Sequence, residues 1–184
     1  MSSSLDALEL LERVGRVLLN DEHAQDLKPT QWAALRFLAR ANRFSRSPGA
    51  LTRYFGSTKG TVSQTLLSLE RRGLIQKDQN TADRRVVRLS LTTEGQARLE
   101  SDPIVRMEKA ISALPEKTRE DLGGGLDALL KIRLAQSEGR MFGVCRTCRH
   151  FQRNAPQGAP YFCALLEEPL SKNDALQICH EQTA

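Results

Sequence analysis

The spacing of apolar residues predicts that the chain begins with two amphipathic helices. Over residues 4–20, apolar side chains recur every three or four positions and form one stripe: Ala7, Leu10, Leu11, Val14, Val17 and Leu18. A second helix is predicted from Lys28-Pro29-Thr30 to about Ala41, with Trp32 facing inward as a core anchor. The stripe of the first helix needs a partner surface, which either a second subunit or the same subunit could supply.

The next two predicted helices form a helix–turn–helix. Ser47-Pro48 has the cap-then-proline signature of a helix start, and Gly56 ends that short helix. Ser57 or Thr58 can cap a second helix, which reaches about Arg72. The apolar residues that fix the angle between the two helices are Leu51, Tyr54, Phe55, Val62, Leu66 and Leu69.

A hairpin is predicted directly after the second of these helices. Gly73 lies where a left-handed stop residue belongs, and two short β-like runs follow, residues 74–77 and 85–91. The polar stretch DQNTADR between the runs suits a long hairpin loop. A polar-faced helix followed by a basic-tipped hairpin is typical of a winged helix, so we expect a mainly α fold with a two-stranded β wing.

The excess positive charge is confined to this helix and hairpin. Residues 52–91 hold eight Lys and Arg residues against three acids, a net charge of +5, which equals the net charge of the whole chain. A local excess of this kind on a helix sized for the major groove indicates a polyanionic partner, with double-stranded DNA the best fit. The alternative is a solvated basic surface without a partner.

Long helices are predicted after the hairpin. Thr92 or Thr93 caps the first, Asp102-Pro103 interrupts it, and Leu114-Pro115 marks another break before a last helix to about Ser137. Three consecutive glycines, residues 123–125, lie inside that last helix, where each costs about 1 kcal/mol relative to alanine. Either two helices cross closely at this point or the helix bends.

These residues resemble the MarR (multiple antibiotic resistance regulator) family. The resemblance covers about residues 5–137, and its specific part is LTRYFGSTKGTVSQTLLSLERRGLI followed by the Asp83-Arg84-Arg85 wing and LSLTTEG. It implies a dimeric, DNA-binding transcription regulator, usually a repressor, that recognises a pseudo-palindromic operator. We therefore divide the chain into a winged-helix and dimerisation domain, residues 1–137, and a tail, residues 138–184.

The candidate DNA contacts follow from side-chain chemistry and helix position. Polar groups on the outward helix face can contact base edges, while groups at the helix start and the wing suit phosphates and the minor groove. The helix-face candidates are Lys59, Thr61 and Gln64, the phosphate candidates are Ser57, Thr58, Ser63 and Arg53, and the wing candidates are Arg84 and Arg85. No catalytic residue is predicted.

The tail carries all four cysteines of the chain, in the pattern C-x2-C-x14-C-x15-C: Cys145, Cys148, Cys163 and Cys179. Two thiolates in a C-x2-C turn can bind one metal, and the other two cysteines must be delivered by folding. Clustering in a reducing compartment favours metal or cluster ligation over a thiol–disulfide switch or unrelated cysteines. The histidines His150 and His180 lie beside the ligands and are expected to support them rather than to replace them.

The metal itself is left open between iron and zinc. Zinc ribbons usually pair two C-x2-C knuckles, and here the second pair is split by 15 residues. The spacing, with Phe142, Phe151, Tyr161 and Phe162 beside the ligands, resembles the small fold of high-potential iron–sulfur proteins, and aromatic shielding tunes such clusters. We expect an iron–sulfur cluster that senses redox or iron status, with structural Zn²⁺ and a small organic effector as the alternative.

An enzyme is the least supported class. The chain has no helical metalloprotease motif and no phosphate-cradling glycine loop, and it has only three histidines. The N-terminus lacks the basic start and apolar core of a signal peptide, and no apolar run approaches a membrane span, so a cytoplasmic protein is expected.

The wing assignment can be tested by one substitution. Arg85→Ala should weaken operator binding by about 1–3 kcal/mol and flatten its salt dependence, because a phosphate- or groove-bound guanidinium is lost. Titration of labelled operator at several salt concentrations measures both effects. Unchanged affinity and salt slope would remove the wing from the interface.

Overall fold

The computed structural model describes residues 3–23, 26–79, 87–136, 139, 142–153 and 158–183. The helices in the first two thirds are α1 (Ser4–His23), α2 (Pro29–Arg40), α3 (Pro48–Phe55), α4 (Lys59–Arg71), α5 (Thr93–Glu100), α6 (Ile104–Ser112) and α7 (Glu116–Gln136). Strands β1 (Ile75–Gln79) and β2 (Val87–Leu91) form an antiparallel hairpin between α4 and α5. The expected mainly α winged helix is confirmed.

Helix α2 lies at the centre of the main core. Trp32, Leu35 and Leu38 are almost fully buried, together with Ala34 and Phe37 on the neighbouring faces of the helix. The inner faces of α3 and α4 and the hairpin complete the core with Leu51, Val62, Leu66, Leu69, Leu74, Ile75 and Leu89. Each buried leucine or isoleucine contributes about 1.5–3 kcal/mol by leaving water. This burial holds α4 at a fixed angle on α2 and α3.

The helix boundaries follow the predicted caps. The Ser47 hydroxyl accepts a hydrogen bond from the Ala50 amide and Thr58 accepts one from the Thr61 amide, each satisfying one of the free donors at a helix start. Gly56 ends α3 with φ of 57° and Gly73 follows α4 with φ of 68°. Both values lie in the left-handed region that glycine adopts without steric strain.

Tyr54 differs from the expected apolar underside of the helix–turn–helix. Leu51 is fully buried as predicted, but the Tyr54 side chain is 42% exposed. Its ring packs beside Phe37 of α2 at 4.7 Å and edge-on to Phe142 at 5.1 Å. Tyr54 therefore joins the helix–turn–helix to the segment that leads into the cysteines.

A buried ion-pair network joins α1, α2 and the α5–α6 junction. Arg36 on α2 binds Glu22 of α1 at 2.5 Å and Asp102 at 2.9 Å, and both carboxylates are nearly inaccessible to solvent. Asp102 also accepts a hydrogen bond from the Ile104 amide at the start of α6, which explains the predicted interruption before Pro103. The two carboxylates need Arg36, because an unpaired buried charge is strongly destabilising.

The long helix α7 has no buried residue, and its glycines meet nothing within the described part of the chain. A Cβ added at Gly123, Gly124 or Gly125 would find open space, so no neighbouring helix of the same chain requires their small size. Among the described helices, none is both long and apolar enough to cross a membrane.

The cysteine segment folds into two small sheets. Strands β4 (Phe151–Arg153), β5 (Tyr161–Cys163) and β6 (Glu168–Leu170) form one antiparallel sheet, and β3 (Gly143–Val144) pairs with β7 (Ile178–Cys179) in another. The short helix α8 (Lys172–Leu176) begins with a capping box between Ser171 and Asp174. Ile178 of β7 is buried in the same core as α2 and α4, so this segment packs directly on the winged helix.

Two glycine substitutions should change stability in opposite directions. A Cβ at Gly95 in α5 would collide with the Leu74 carbonyl oxygen, so Gly95→Ala should lower the free energy of unfolding by about 2 kcal/mol or more. Gly49→Ala in α3 meets no atom and should raise it by up to about 1 kcal/mol. Urea unfolding of both variants measures the difference. Equal effects would contradict the close approach of α5 to Leu74.

Candidate nucleic-acid interface and cysteine cluster

The outward face of α4 is polar and open to solvent. Lys59, Thr61, Ser63 and Gln64 are exposed, while Val62 and Leu66 point into the core on the opposite side. The start of the helix is ordered by Thr58, whose hydroxyl lies 2.9 Å from that of Thr61. This arrangement leaves a row of hydrogen-bonding groups on a rigid helix of about the width that a major groove admits.

The remaining candidates at this surface differ in accessibility. Ser57 is half-buried before α4, whereas Thr58 and Arg53 are exposed. Arg84 and Arg85 lie outside the described residues, as does most of the hairpin loop. The prediction that the nine candidate residues named from the sequence contact DNA is not tested by the structure and stays a prediction.

The structure divides the basic residues of this region into two groups. Lys77 is bound to Glu70 at 2.5 Å and Arg72 to Asp26 at 2.5 Å, so their charges are partly neutralised within the chain. Arg53, Lys59, Arg71 and Arg88 are exposed, and no ion pair to them occurs among the described residues. The sequence-based charge count treated all these cations as equally available. Pairing with an acid far along the chain, such as Asp26, cannot be recognised from neighbouring residues.

A cleft of about 450 Å³ lies between α3, α4 and the hairpin. Its lining is mostly apolar, with two ammonium groups at the edge, and comprises Pro48, Gly49, Thr52, Lys59, Val62, Ser63, Leu66, Lys77 and Val87. A small organic anion fits this chemistry.

Folding brings the four cysteines to one place. Cys145 and Cys148 lie on a single turn, closed by a 3.0 Å hydrogen bond from the Cys148 amide to the Cys145 carbonyl. Cys163 is delivered by β5 and Cys179 by β7. Cys145, Cys163 and Cys179 are buried in one cluster with Leu170, and Cys148 is half-buried at its edge. All four are free thiols.

The other three cysteines affect the electrostatics of Cys145. Burial, followed by the charges of Cys179, Cys163, Cys148 and Asp174, raises the pKa of the Cys145 thiol to about 12. Burial and mutual repulsion therefore oppose deprotonation of Cys145, so a cluster of thiolates here needs a bound cation. Because metal ligation requires thiolates, binding would release protons and strengthen as pH rises.

The cysteines suit a group that is bound through sulfur, but the described residues are not arranged as a site for a single metal ion. No three of their His, Cys, Asp or Glu side chains are placed as a group that could hold a metal ion. The nearest carboxylate, Asp174, is engaged by the Ser171 hydroxyl at 2.7 Å and by Arg43 at 3.4 Å. Four sulfur donors in an apolar surrounding suit an iron–sulfur cluster or zinc rather than a hard cation.

The aromatic surroundings match the expectation in part. Phe151 and Tyr161 pack on the cysteine cluster, with ring centroids 4.9 Å apart. Phe142 instead packs on Phe37 at 6.1 Å, away from that cluster. Phe44, from the segment between α2 and α3, takes part in the shielding. Sequence reasoning missed Phe44 because nothing local to that residue indicates a contact so distant along the chain.

The two neighbouring histidines have partners of their own. His180 follows Cys179, and its imidazole lies 3.2 Å from the Ser45 hydroxyl and 2.9 Å from Glu181. His150 accepts a hydrogen bond from Arg149 at 3.2 Å. The expected supporting role of both histidines beside the cysteines stays a prediction.

Comparison with known proteins relates the winged-helix part of the chain to one family. Residues 25–86 match the model of the MarR family. The HTH-type transcriptional repressor YetL of Bacillus subtilis (strain 168) is 29% identical over 96 residues, which are 52% of this chain. The chain spans 58% of the length of that curated relative. The matched family segment ends before the first cysteine.

Solved structures show the same fold. Streptococcus pneumoniae FabT in complex with DNA is 26% identical with a TM-score of 0.57, covering 71% of this chain and 96% of that one. A probable transcriptional regulator from Pseudomonas aeruginosa is 28% identical with a TM-score of 0.55, covering 70% and 97%. The S. aureus MepR–DNA complex, at 22% identity and a TM-score of 0.59, covers 71% and 98%.

The base-reading role of α4 can be tested with a matched pair of glutamines. Gln64→Ala should cost about 1–3 kcal/mol of discrimination at one base pair of each half-site, because a bidentate amide contact is lost. Gln96→Ala, an exposed glutamine on α5, should leave both affinity and sequence preference unchanged. Binding to a set of single-base operator variants measures the discrimination. The same preference in all three proteins would exclude Gln64 from base contact.

Proposed function

We propose that this chain is a dimeric MarR-type transcription regulator, a repressor of a pseudo-palindromic operator, in which four cysteines hold a sensing iron–sulfur cluster. The observation that carries the DNA-binding part is the open polar face of α4 beside a hairpin, on the fold shared with MarR structures. The family match over residues 25–86 supports a MarR-type DNA-binding regulator, and regulators of this kind are not enzymes.

The charges on this surface support DNA as the partner. Arg53, Lys59 and Arg88 are exposed on three adjacent elements, and the inner side of the same elements is the apolar core. Phosphate contacts from such cations supply affinity and make it salt-dependent. The polar side chains of α4 supply the sequence reading, since base edges in the major groove present distinct donors and acceptors. The FabT relative was solved with DNA.

Two unburied apolar helix faces support a dimer. Helix α1 exposes Leu5, Leu8, Leu10, Leu11, Val14, Val17 and Leu19, and helix α7 exposes Leu122, Leu126, Leu129, Leu130 and Ile132. Monomeric proteins rarely leave so much contiguous apolar surface in water. A second copy of the chain that covered both helices would bury this apolar surface. It could also approach the backbone closely at Gly123–Gly125, where there are no side chains. A two-fold dimer places its α4 helices in successive major grooves.

The cysteine segment supports the sensing part of the proposal. Three buried cysteines, a half-buried fourth and three aromatic rings form a site largely shielded from water. A bound iron–sulfur cluster supplies one-electron redox chemistry, and shielding of this kind tunes its potential. The chain holds the sulfurs on one turn and on two strands, β5 and β7, so loss of the cluster would release these elements from one another. The sensed signal would be redox or iron status.

A second candidate keeps DNA binding and assigns the cysteines to structural zinc. The cleft beside α4 favours the effector, because its apolar lining and the exposed Lys59 ammonium group fit a small organic anion. A ligand in this cleft would lie between the recognition helix and the hairpin. DNA affinity would then respond to the organic ligand and be indifferent to iron.

Metal analysis separates the two candidates. Protein purified without oxygen should be brown, with a broad visible absorption band and about two to four iron atoms per chain, because thiolate–iron charge transfer absorbs visible light. Cys163→Ser should lose most of this iron, whereas Ser112→Ala on α6 should keep it. A colourless protein with about one zinc per chain would support the zinc alternative instead.

DNA selection tests the regulator itself. A pool of random double-stranded fragments should yield a palindromic site with half-sites about one helical turn apart, protected as two patches in footprinting. The affinity for this site should fall steeply as salt rises. If no double-stranded sequence is preferred at low ionic strength, the proposed function is wrong, whatever metal the cysteines hold.

A further inference from the structure

The α2–α3 segment (residues 41–46) makes the polar attachment of the cysteine segment to the winged helix, beside the apolar contacts of Phe142 and Ile178. Its backbone joins β7 through a parallel bridge between Ala41 and Ile178, in which the Asn42 amide donates to the Ile178 carbonyl at 2.9 Å. Asn42 is fully buried, and Ile178 belongs to the main core. Because Cys179 is the next residue along β7, the strand that carries this ligand is built onto the helix–turn–helix.

Ser45 makes the most direct polar link between the two parts. Its side chain is fully buried, and its hydroxyl accepts a hydrogen bond from the His180 amide at 2.9 Å. The same hydroxyl donates to the Asn42 side chain at 2.7 Å, which also accepts from the Ser45 amide. This leaves Ser45 bound at once to its own segment and to the residue that follows Cys179.

Two further side chains of the α2–α3 segment reach into the tail. Phe44 packs against the cysteine cluster, and Arg43 lies over the Phe44 ring at 4.5 Å from its centroid. The Arg43 guanidinium donates to the Pro169 carbonyl at 2.5 Å and pairs with Asp174 at 3.4 Å. The surroundings of the cysteines are therefore incomplete without residues from the winged helix.

The other side of the same segment holds the DNA-reading elements. The Arg46 carbonyl accepts a hydrogen bond from the Leu89 amide of β2 at 2.8 Å, and the Arg46 side chain returns to the Ala41 carbonyl at 3.0 Å. Ser47, the next residue, caps α3. A displacement of residues 41–46 would thus move the hairpin and the start of α3 together.

We propose that residues 41–46 transmit the state of the cysteine cluster to the hairpin and α3 of the same subunit, with Ser45 as the positioning residue. The inference rests on the proposed function, because it requires a group bound by the cysteines. Drawing four sulfurs onto one metal centre moves Cys179, and His180 moves with it. Ser45 must follow, since a buried hydroxyl left without its partners costs free energy. Regulation then begins inside each subunit, through the positions of its hairpin and α3.

Ser45→Ala tests the link on the full-length protein. The probe is the double-stranded fragment selected by the unmodified protein, and the measured quantity is the ratio of its dissociation constants for cluster-loaded and chelator-stripped protein. We expect a ratio of about tenfold or more for the unmodified protein and for the exposed-serine control Ser112→Ala. In Ser45→Ala the iron content should be unchanged and the ratio should fall to within about twofold.

The ratio distinguishes transmission from a merely structural role. A structural defect would weaken loaded and stripped protein alike and leave the ratio at its original value, which would overturn the inference while the proposed function stands. A ratio near one in the unmodified protein, or a protein that binds neither iron nor zinc, would overturn the sensing function itself.

Hydrogen exchange on the unmodified protein gives a second measurement that does not depend on any variant. Removal of the cluster should speed amide exchange in residues 41–47 and at Leu89, because both lose the contacts described above. Amides in α2 such as Leu35 provide the internal control and should keep their protection. Unchanged exchange at residues 41–47 after complete removal of the metal would overturn the inference.

Discussion

The burial of the inner face of α4 against α2 is the constraint on which the rest of this structure depends. Val62, Leu66 and Leu69 can leave water only on the Trp32 and Leu35 side of α2, so the opposite face of α4 must point outward. That outward face carries the polar groups that suit a major groove. The hairpin follows from the same core, because Leu74, Ile75 and Leu89 extend it without a break.

The cysteine segment packs on this core and adds a small buried cluster of its own. Ile178 of this segment is buried among the residues of α2 and α4. In turn, Phe44 of the winged helix packs against the cysteines and shields them. The free energy of ligating the four sulfurs would consequently act on the stability of the whole winged helix, as metal binding commonly does in small sites. The cysteine segment and the winged helix therefore form one packed unit.

Charge acts in this protein through its distribution rather than its total. Lys77 and Arg72 are paired within the chain, whereas Arg53, Lys59 and Arg88 remain exposed beside α4. In the tail, the Asp174 carboxylate is engaged by Arg43 and Ser171, so the cysteine sulfurs are the groups left to bind a metal. Pairing across the fold, as between Asp26 and Arg72 or between Arg43 and Asp174, therefore decides which charged groups stay available.

Local patterns in the sequence were sufficient to determine the winged helix. Ser47, Thr58 and Thr92 cap their helices as predicted, Gly56 and Gly73 adopt left-handed backbone, and the buried stripe of α4 follows helical spacing. Such features depend on neighbours within a few residues, so periodicity and capping chemistry reveal them.

Only the tertiary structure decided where the tail packs and which residues complete its site. Nothing in the sequence around Phe44 and Ser45 indicates their contacts with a segment more than a hundred residues later. Phe142 was expected beside the cysteines, but it packs against Phe37 instead. Such contacts depend on how two surfaces match in shape and in unpaired hydrogen-bonding groups. Those surfaces exist only after each part of the chain has folded.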